Sequence, residues 1–460
     1  MTVINYIKST FFNWHKLVPA STLALYRILF GGLMFFSTSR FLFNGWVHDF
    51  YIQPQFHFSY LGFDWIPYPT PLTLYVIFAG MLISCLGIML GLFYRLSAIT
   101  FFILFTYVEL LDKTTYLNHY YFVSLVAFIL IFLPANHYFS LDTKFGFAKE
   151  SDKIPNWSIA ILKFQMGVVY VFAGIAKLEA DWLIDAQPLK YWLHTAHHWT
   201  FFGELLKQDW VAYFFSWFGC VYDLLIVFFL LNSRTRNIAY LFVIVFHFTT
   251  WMFFPIGVFP WVMMVGTTIF LSVSFHEKVI SFLSFGKNKT FVSAHSNSNL
   301  TRKKAVNLLF AVYIFIQIIV PFRYLLYPGN LFWTEQGFRF SWRVMLMEKT
   351  GYAEFYILDP VNKNEWKINN RDHLTSTQEK MMSTQPDMIL QYAHHLKNTY
   401  SDTTIRFGSE ELNFKNPEVH AEIYVTLNGR PSQLYVHKKH NLAAIENNLS
   451  NRYWLEDFKE

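Results

Sequence analysis

Apolar runs approaching the length of a bilayer crossing, roughly 20 residues, recur through the first 327 residues and constrain this chain more than any other feature. Over all 460 residues, 54% are hydrophobic and 15% are charged, against about 25% charged in a soluble domain. Such a pattern predicts a polytopic α-helical membrane protein. Nine segments qualify as spans: 23–42, 72–93, 97–111, 119–135, 157–177, 211–231, 237–254, 258–275 and 305–327. The N-terminal stretch MTVINYIKSTFFNWHKL lacks a cleavable signal pattern, so the first span is expected to act as the anchor. No internal repeat is evident.

Lysine and arginine counts orient this map. With the N-terminus in the cytoplasm, the inner segments hold 14 basic residues and the outer loops hold 3. Nine spans then place the C-terminal region, 328–460, outside the cytoplasm. That region is polar, with alternating stretches such as AEIYVTLNGRPSQLYVHKK (421–439). Asn428-Gly429 between two such runs predicts a hairpin, and 376–397 reads as helical. The expected organisation is a membrane bundle over 1–327 and a small α+β domain over 328–460. The basic stretch His295–Lys304 reads as a cytoplasmic linker before the last span.

Lys177 ends an apolar helix with no acidic residue in the preceding 24 positions. An ammonium in hydrocarbon is costly, which favours the neutral amine, and a neutral amine is a base. A snorkelling lysine is the plain alternative. Glu179 and Asp181 follow directly and predict an ionic cluster at the outer boundary. Asn118 and His119 precede the fourth span on the same outer side, where they could bind substrate oxygens. His247 lies within the seventh span, open to a site role or to a helix contact. Arg27 is expected to pair with an inner-loop carboxylate, while Asp223 is left open between a structural and a site role.

The outer-loop histidines His194, His197 and His198 lack a carboxylate or cysteine at recognised ligand spacing, so no metal is expected. Cys85 and Cys220 lie in apolar runs and read as small buried side chains. No phosphate-binding glycine loop, serine elbow or dinucleotide fingerprint is present, and no basic face points to nucleic acid.

Several long segments together resemble the vitamin K-dependent gamma-glutamyl carboxylases. AGIAKLEADW (173–182) resembles that family's lysine motif, alongside LLDKTTYLNHYY (110–121), ANHYFSLD (135–142), LYRILFG (25–31) and GIMLGLFYRLS (87–97). FHFTTWMFFPIGVFPWVMM (246–264), NLFWTEQGFRFSWRVMLMEKTG (330–351) and MILQYAHHL (388–396) extend the resemblance past the membrane part. It implies that a lysine deprotonates reduced vitamin K, the hydroquinone, and that O2 then converts the anion to a strongly basic alkoxide. The alkoxide removes a glutamyl γ-proton, the carbanion adds CO2, and the quinone leaves as the epoxide. By position Lys177 matches the base. His119 and Asn118 match the residues near the hydroquinone oxygens, and His247 matches a pocket histidine. The implied partners are a glutamate-containing polypeptide and membrane lipids.

The chain is shorter than the animal enzymes, and neither cysteine lies in an outer segment to form their disulfide. A bacterial inner-membrane homologue is therefore expected. A quinol epoxidase without protein carboxylation, and a transporter or lipid-binding protein built around Arg27 and Asp223, are the alternatives.

Overall fold

The computed structural model describes residues 14–195, 203–284, 300–407 and 410–459. The long helices are α1 (Ser21–Phe43), α2 (Pro71–Leu90), α3 (Tyr94–Leu111), α4 (Asn118–Phe132), α5 (Trp157–Ala176), α6 (Asp209–Leu231), α7 (Arg236–Phe253), α8 (Phe259–Thr267), α9 (Val273–Leu283) and α10 (Leu300–Ile319). Among the described residues six helices are long and apolar enough to cross a membrane: α1, α2, α3, α5, α6 and the segment Lys304–Leu326 that continues α10. A seventh exists if Phe259–Phe270 and Val273–Leu283 count as one span, although they meet at a bend of 112°. This is a membrane protein.

The expected count of nine is not reached, and the shortfall has physical causes. Helix α4 has 15 residues, about 22 Å at about 1.5 Å per residue, short of a core roughly 30 Å thick. Asp112 caps a separate turn before it, and Leu133-Pro134 ends it. Helix α7 has 18 residues, as α3 does, but Arg236, Asn237, His247, Thr249 and Thr250 make it less apolar. The 258–275 segment breaks where the Ser272 hydroxyl caps a new helix by accepting from Phe275 N–H. His276 braces that corner, its ring nitrogens lying 2.7 Å from Ser272 O and 3.1 Å from Thr268 O. Of the linker expected over 295–304, residues 295–299 lie outside the described residues, and Leu300 already opens α10.

Strands β1 (Leu17–Pro19) and β2 (Lys153–Pro155) pair beside the bundle. The C-terminal region is α+β. Strands β3 (Lys349–Leu358), β4 (Glu365–Ile368), β7 (Glu418–Leu427) and β8 (Gln433–Val436) form an antiparallel sheet in the order β4-β3-β7-β8. Strands β5 (Thr403–Phe407) and β6 (Glu410–Phe414) make a separate hairpin. Alternation assigns Phe355, Ile357, Val419, Ala421 and Ile423 to the buried face. Two helices, α11 (Ser376–Met382) and α12 (Pro386–Tyr400), supply further apolar residues to that core. The stretch 376–397, expected to be helical, is helical in these two pieces. Pro386 lacks an N–H and sits at the start of α12, so the chain stops and restarts there.

The Asn428-Gly429 turn forms between β7 and β8, with positive φ at both residues. Its tip docks on the bundle. Asn428 Nδ2 donates to Asp181 Oδ2 at 2.7 Å, and Arg430 adds two bonds to the same carboxylate at 2.9 and 2.7 Å. A second anchor lies at Asp387, which accepts from Lys113 and from Arg339, each at 2.7 Å. Burial pushes the Lys113 amine down to about 8, with Asp387 pulling the other way. Burial also works to raise the Asp387 carboxyl, but Arg339, Lys113 and Arg452 outweigh it and hold that carboxyl well below its usual range. One carboxylate shared by several cations stays ionised.

Candidate functional site

Helix α5 ends at Lys177, whose N–H returns to Gly174 O at 3.0 Å. The residue is 6% exposed. Its Nζ donates to Asp223 Oδ2 at 2.7 Å and to Ala173 O at 3.3 Å. Asp223 comes from α6, and the two helices meet closely enough that Cys220 Sγ lies 3.7 Å from Gly174 O. Small residues at a crossing allow such an approach in a membrane. The ring of Trp182 stands 5.3 Å from Nζ, held by its Nε1 donating to Ser216 O at 2.9 Å. The sequence reading grouped Lys177 with Glu179 and Asp181. In the structure Glu179 pairs with Arg343 and Asp181 with Arg430. The acid on Lys177 is Asp223, 46 residues away, so the lysine is not the isolated amine that its own helix suggested.

Lys177 and Asp223 open onto a cavity lined mainly by aromatic and aliphatic side chains that include Tyr170, Phe215, Phe246, Phe254 and Met263. His247 lines the same cavity and is 2% exposed. Its Nε2 lies 3.0 Å from the Tyr170 hydroxyl, and its Nδ1 is buried without a partner. A pocket with an apolar wall and a few convergent polar groups is the usual form of a small-molecule site.

His119 is 7% exposed and does not line this cavity. It stacks edge-on against Tyr120 at 4.6 Å and lies 5.7 Å from the ring of Phe259. Phe259 does line the cavity, and its ring stands 5.8 Å from His247. One phenyl ring therefore touches both histidines. Asn118 is committed elsewhere: its Nδ2 donates to Arg343 O at 3.2 Å, and its Oδ1 accepts from Tyr116 OH at 3.1 Å. The chain it holds is a strap, 340–345, whose Val344 and Met345 also line the cavity. Phe340, Trp342 and Met345 all adopt positive φ there, a strained form that persists only where the surroundings over-determine it. Sequence reasoning missed this strap, Trp182 and Tyr170, since nothing local marks their convergence.

Residues 15–275 match the model of the HTTM domain. Residues 302–460 match the lumenal domain of vitamin K-dependent gamma-carboxylase. The chain belongs to the vitamin K-dependent gamma-carboxylase family. A comparison with solved structures returned no match.

Two further details of this carboxylase-family chain bear on its chemistry. Arg27 does not pair with a carboxylate as expected. Its guanidinium donates to Ile88 O and Met89 O, both at 2.9 Å, and to Phe139 O at 2.6 Å. The first two carbonyls belong to the last turn of α2, which lacks intrahelical donors. The nearby Asp142 is engaged by Phe93 N–H, Tyr94 N–H and Asn136. Among the described residues no three His, Cys, Asp or Glu side chains converge as metal ligands. His194 lies 3.8 Å from Asp209, and His197 and His198 lie outside the described residues. Both cysteines are buried and unpaired.

Proposed function

We propose that this protein is a vitamin K-dependent glutamyl carboxylase, oxygenating reduced vitamin K to the epoxide while carboxylating a glutamate-containing polypeptide. The observation that carries the reading is the buried Lys177 amine facing an apolar cavity, within a chain of this family. The cavity fits the group: its aromatic wall suits a flat lipophilic ring, and the orphaned Nδ1 of His247 suits a quinol oxygen. When bound, the hydroquinone would supply, with O2, the strong base that abstracts the glutamyl γ-proton before CO2 adds.

The chain's own residues do the rest. Lys177 takes a proton at Nζ. His247 orients an oxygen atom by hydrogen bonding, and His119 backs Phe259, whose ring lines the cavity. Asn118 fixes the strap that closes one wall, a role its bonds favour over direct contact with an oxyanion. The apolar wall excludes water from reactive species.

The domain division at 327/328, a cytoplasmic N-terminus, an extracytoplasmic C-terminal domain and a bacterial inner-membrane location belong to the same reading. The Asp181–Arg430 contact supports it by joining the C-terminal region to the loop beyond Lys177. A transporter reading gains no support from Arg27 and Asp223, because each is engaged by different groups and they do not pair with each other.

The test uses purified protein, reduced vitamin K, O2, a glutamyl peptide and labelled CO2. Epoxide and fixed label, both lost in Lys177→Ala, are the expected result. Epoxide without label would reduce the function to quinol epoxidation. Epoxide surviving in Lys177→Ala would sink the assignment of the base.

A further inference from the structure

The α5–α6 pair carries an inference that rests on the reading of Lys177 as the base. We propose that Asp223 is the positioning residue of that base. In its proton-accepting form the amine has two N–H bonds and one lone pair. Around Nζ the structure supplies two acceptors, Asp223 Oδ2 at 2.7 Å and Ala173 O at 3.3 Å. With Cε they occupy three of the four tetrahedral positions. The lone pair is left with the fourth, and Lys177 and Asp223 both line the cavity. Without Asp223, Nζ keeps only the 3.3 Å bond to Ala173 O, a carbonyl of its own helix, and the four-carbon stem has no fixed point on α6.

Asp223 also serves the charge that develops. A proton taken from a hydroxyl in the cavity breaks that O–H bond, leaves its electron pair on the oxygen and forms the third N–H on Nζ. The resulting ammonium faces a carboxylate already in hydrogen-bond contact, so no group has to reorganise in an apolar wall. Both residues are buried, and removing either leaves the other group buried without its partner.

Two readouts test this, one without substrate. In quinone-free protein, Lys177→Met, Asp223→Asn and the double variant form a thermal-melting cycle. The double variant is expected to lose less than the sum of the single losses, because it strands neither group. Additive losses would overturn the pairing. In quinol epoxidation, Asp223→Asn is expected to lower kcat by about 10²-fold, the scale of a misplaced reacting group, with KM within about twofold. Asp223→Glu is expected to recover part of kcat. A wild-type kcat in Asp223→Asn, or a raised KM alone, would overturn the positioning role while the base assignment stood. If the Asn variant does not accumulate folded, Asp223→Ser is read by the same criteria. Epoxidation surviving in Lys177→Ala would instead remove the base assignment itself.

Discussion

Gly174 lies three residues before Lys177, and its substitution by alanine tests whether the α5–α6 crossing sets the geometry of the site. A Cβ at this position would stand 2.8 Å from the backbone nitrogen of Leu224 and 2.7 Å from its Cγ. Leu224 adjoins Asp223. A side-chain tip could rotate away, but a helix backbone cannot. Restoring an ordinary contact of 3.4 Å from 2.8 Å requires the helices to part by about 0.6 Å. Overpacking of this kind costs about 1–3 kcal/mol. The same displacement falls on the 2.7 Å bond between Lys177 and Asp223, stretching it beyond normal hydrogen-bond length. A misplacement near 1 Å costs roughly 10²-fold in rate, so Gly174→Ala is expected to lose about 10–10² in kcat for epoxide formation. Its melting temperature in detergent should fall, and quinone binding should be largely kept. The assay is epoxide production at saturating reduced quinone, run beside thermal melting. A variant with unchanged melting and unchanged kcat would refute the claim that this close approach holds the base.

Asp387→Asn leaves the buried Lys113 and the half-buried Arg339 without their shared carboxylate, and is expected to cost about 3 kcal/mol in stability, read by melting. Because the folded-state value of Asp387 is depressed, its contribution is present above the unfolded carboxylate value of about 3.9. It is lost as pH falls from there toward the folded value. Wild-type melting should therefore decline below about pH 5 more steeply than that of Asp387→Asn, and parallel curves would contradict this. Phe259→Ala removes the ring that touches both His119 and His247. KM for reduced quinone should rise, with up to about 3 kcal/mol of stability lost, and an unchanged KM would detach His119 from the site. Arg430→Ala deletes both guanidinium bonds to Asp181 and should cost about 2 kcal/mol. Equal melting of variant and wild type would show that the hairpin tip is not an anchor.

Membrane character, the helical bundle and the polar α+β region after it follow from the sequence by itself, because burial against lipid or core imposes a composition and a period on each segment. Asn428-Gly429 announced its turn for the same local reason, since both positions need positive φ. The lysine motif was legible too, as a charged residue closing an apolar helix is conspicuous in one dimension. Which segments reach the length of a crossing was decided by breaks at Ser272 and Pro134 that interrupt apolar runs without changing their composition. The partner of Lys177 depended on tertiary structure entirely. Asp223 sits on another helix, and only the crossing at Gly174 and Leu224 brings the two charges within 2.7 Å. The strap at 340–345 and the use of Asn118 to hold it arise likewise from contacts between segments more than 200 residues apart. Local composition reflects whether a residue is buried, whereas the identity of its neighbour depends on how distant helices pack.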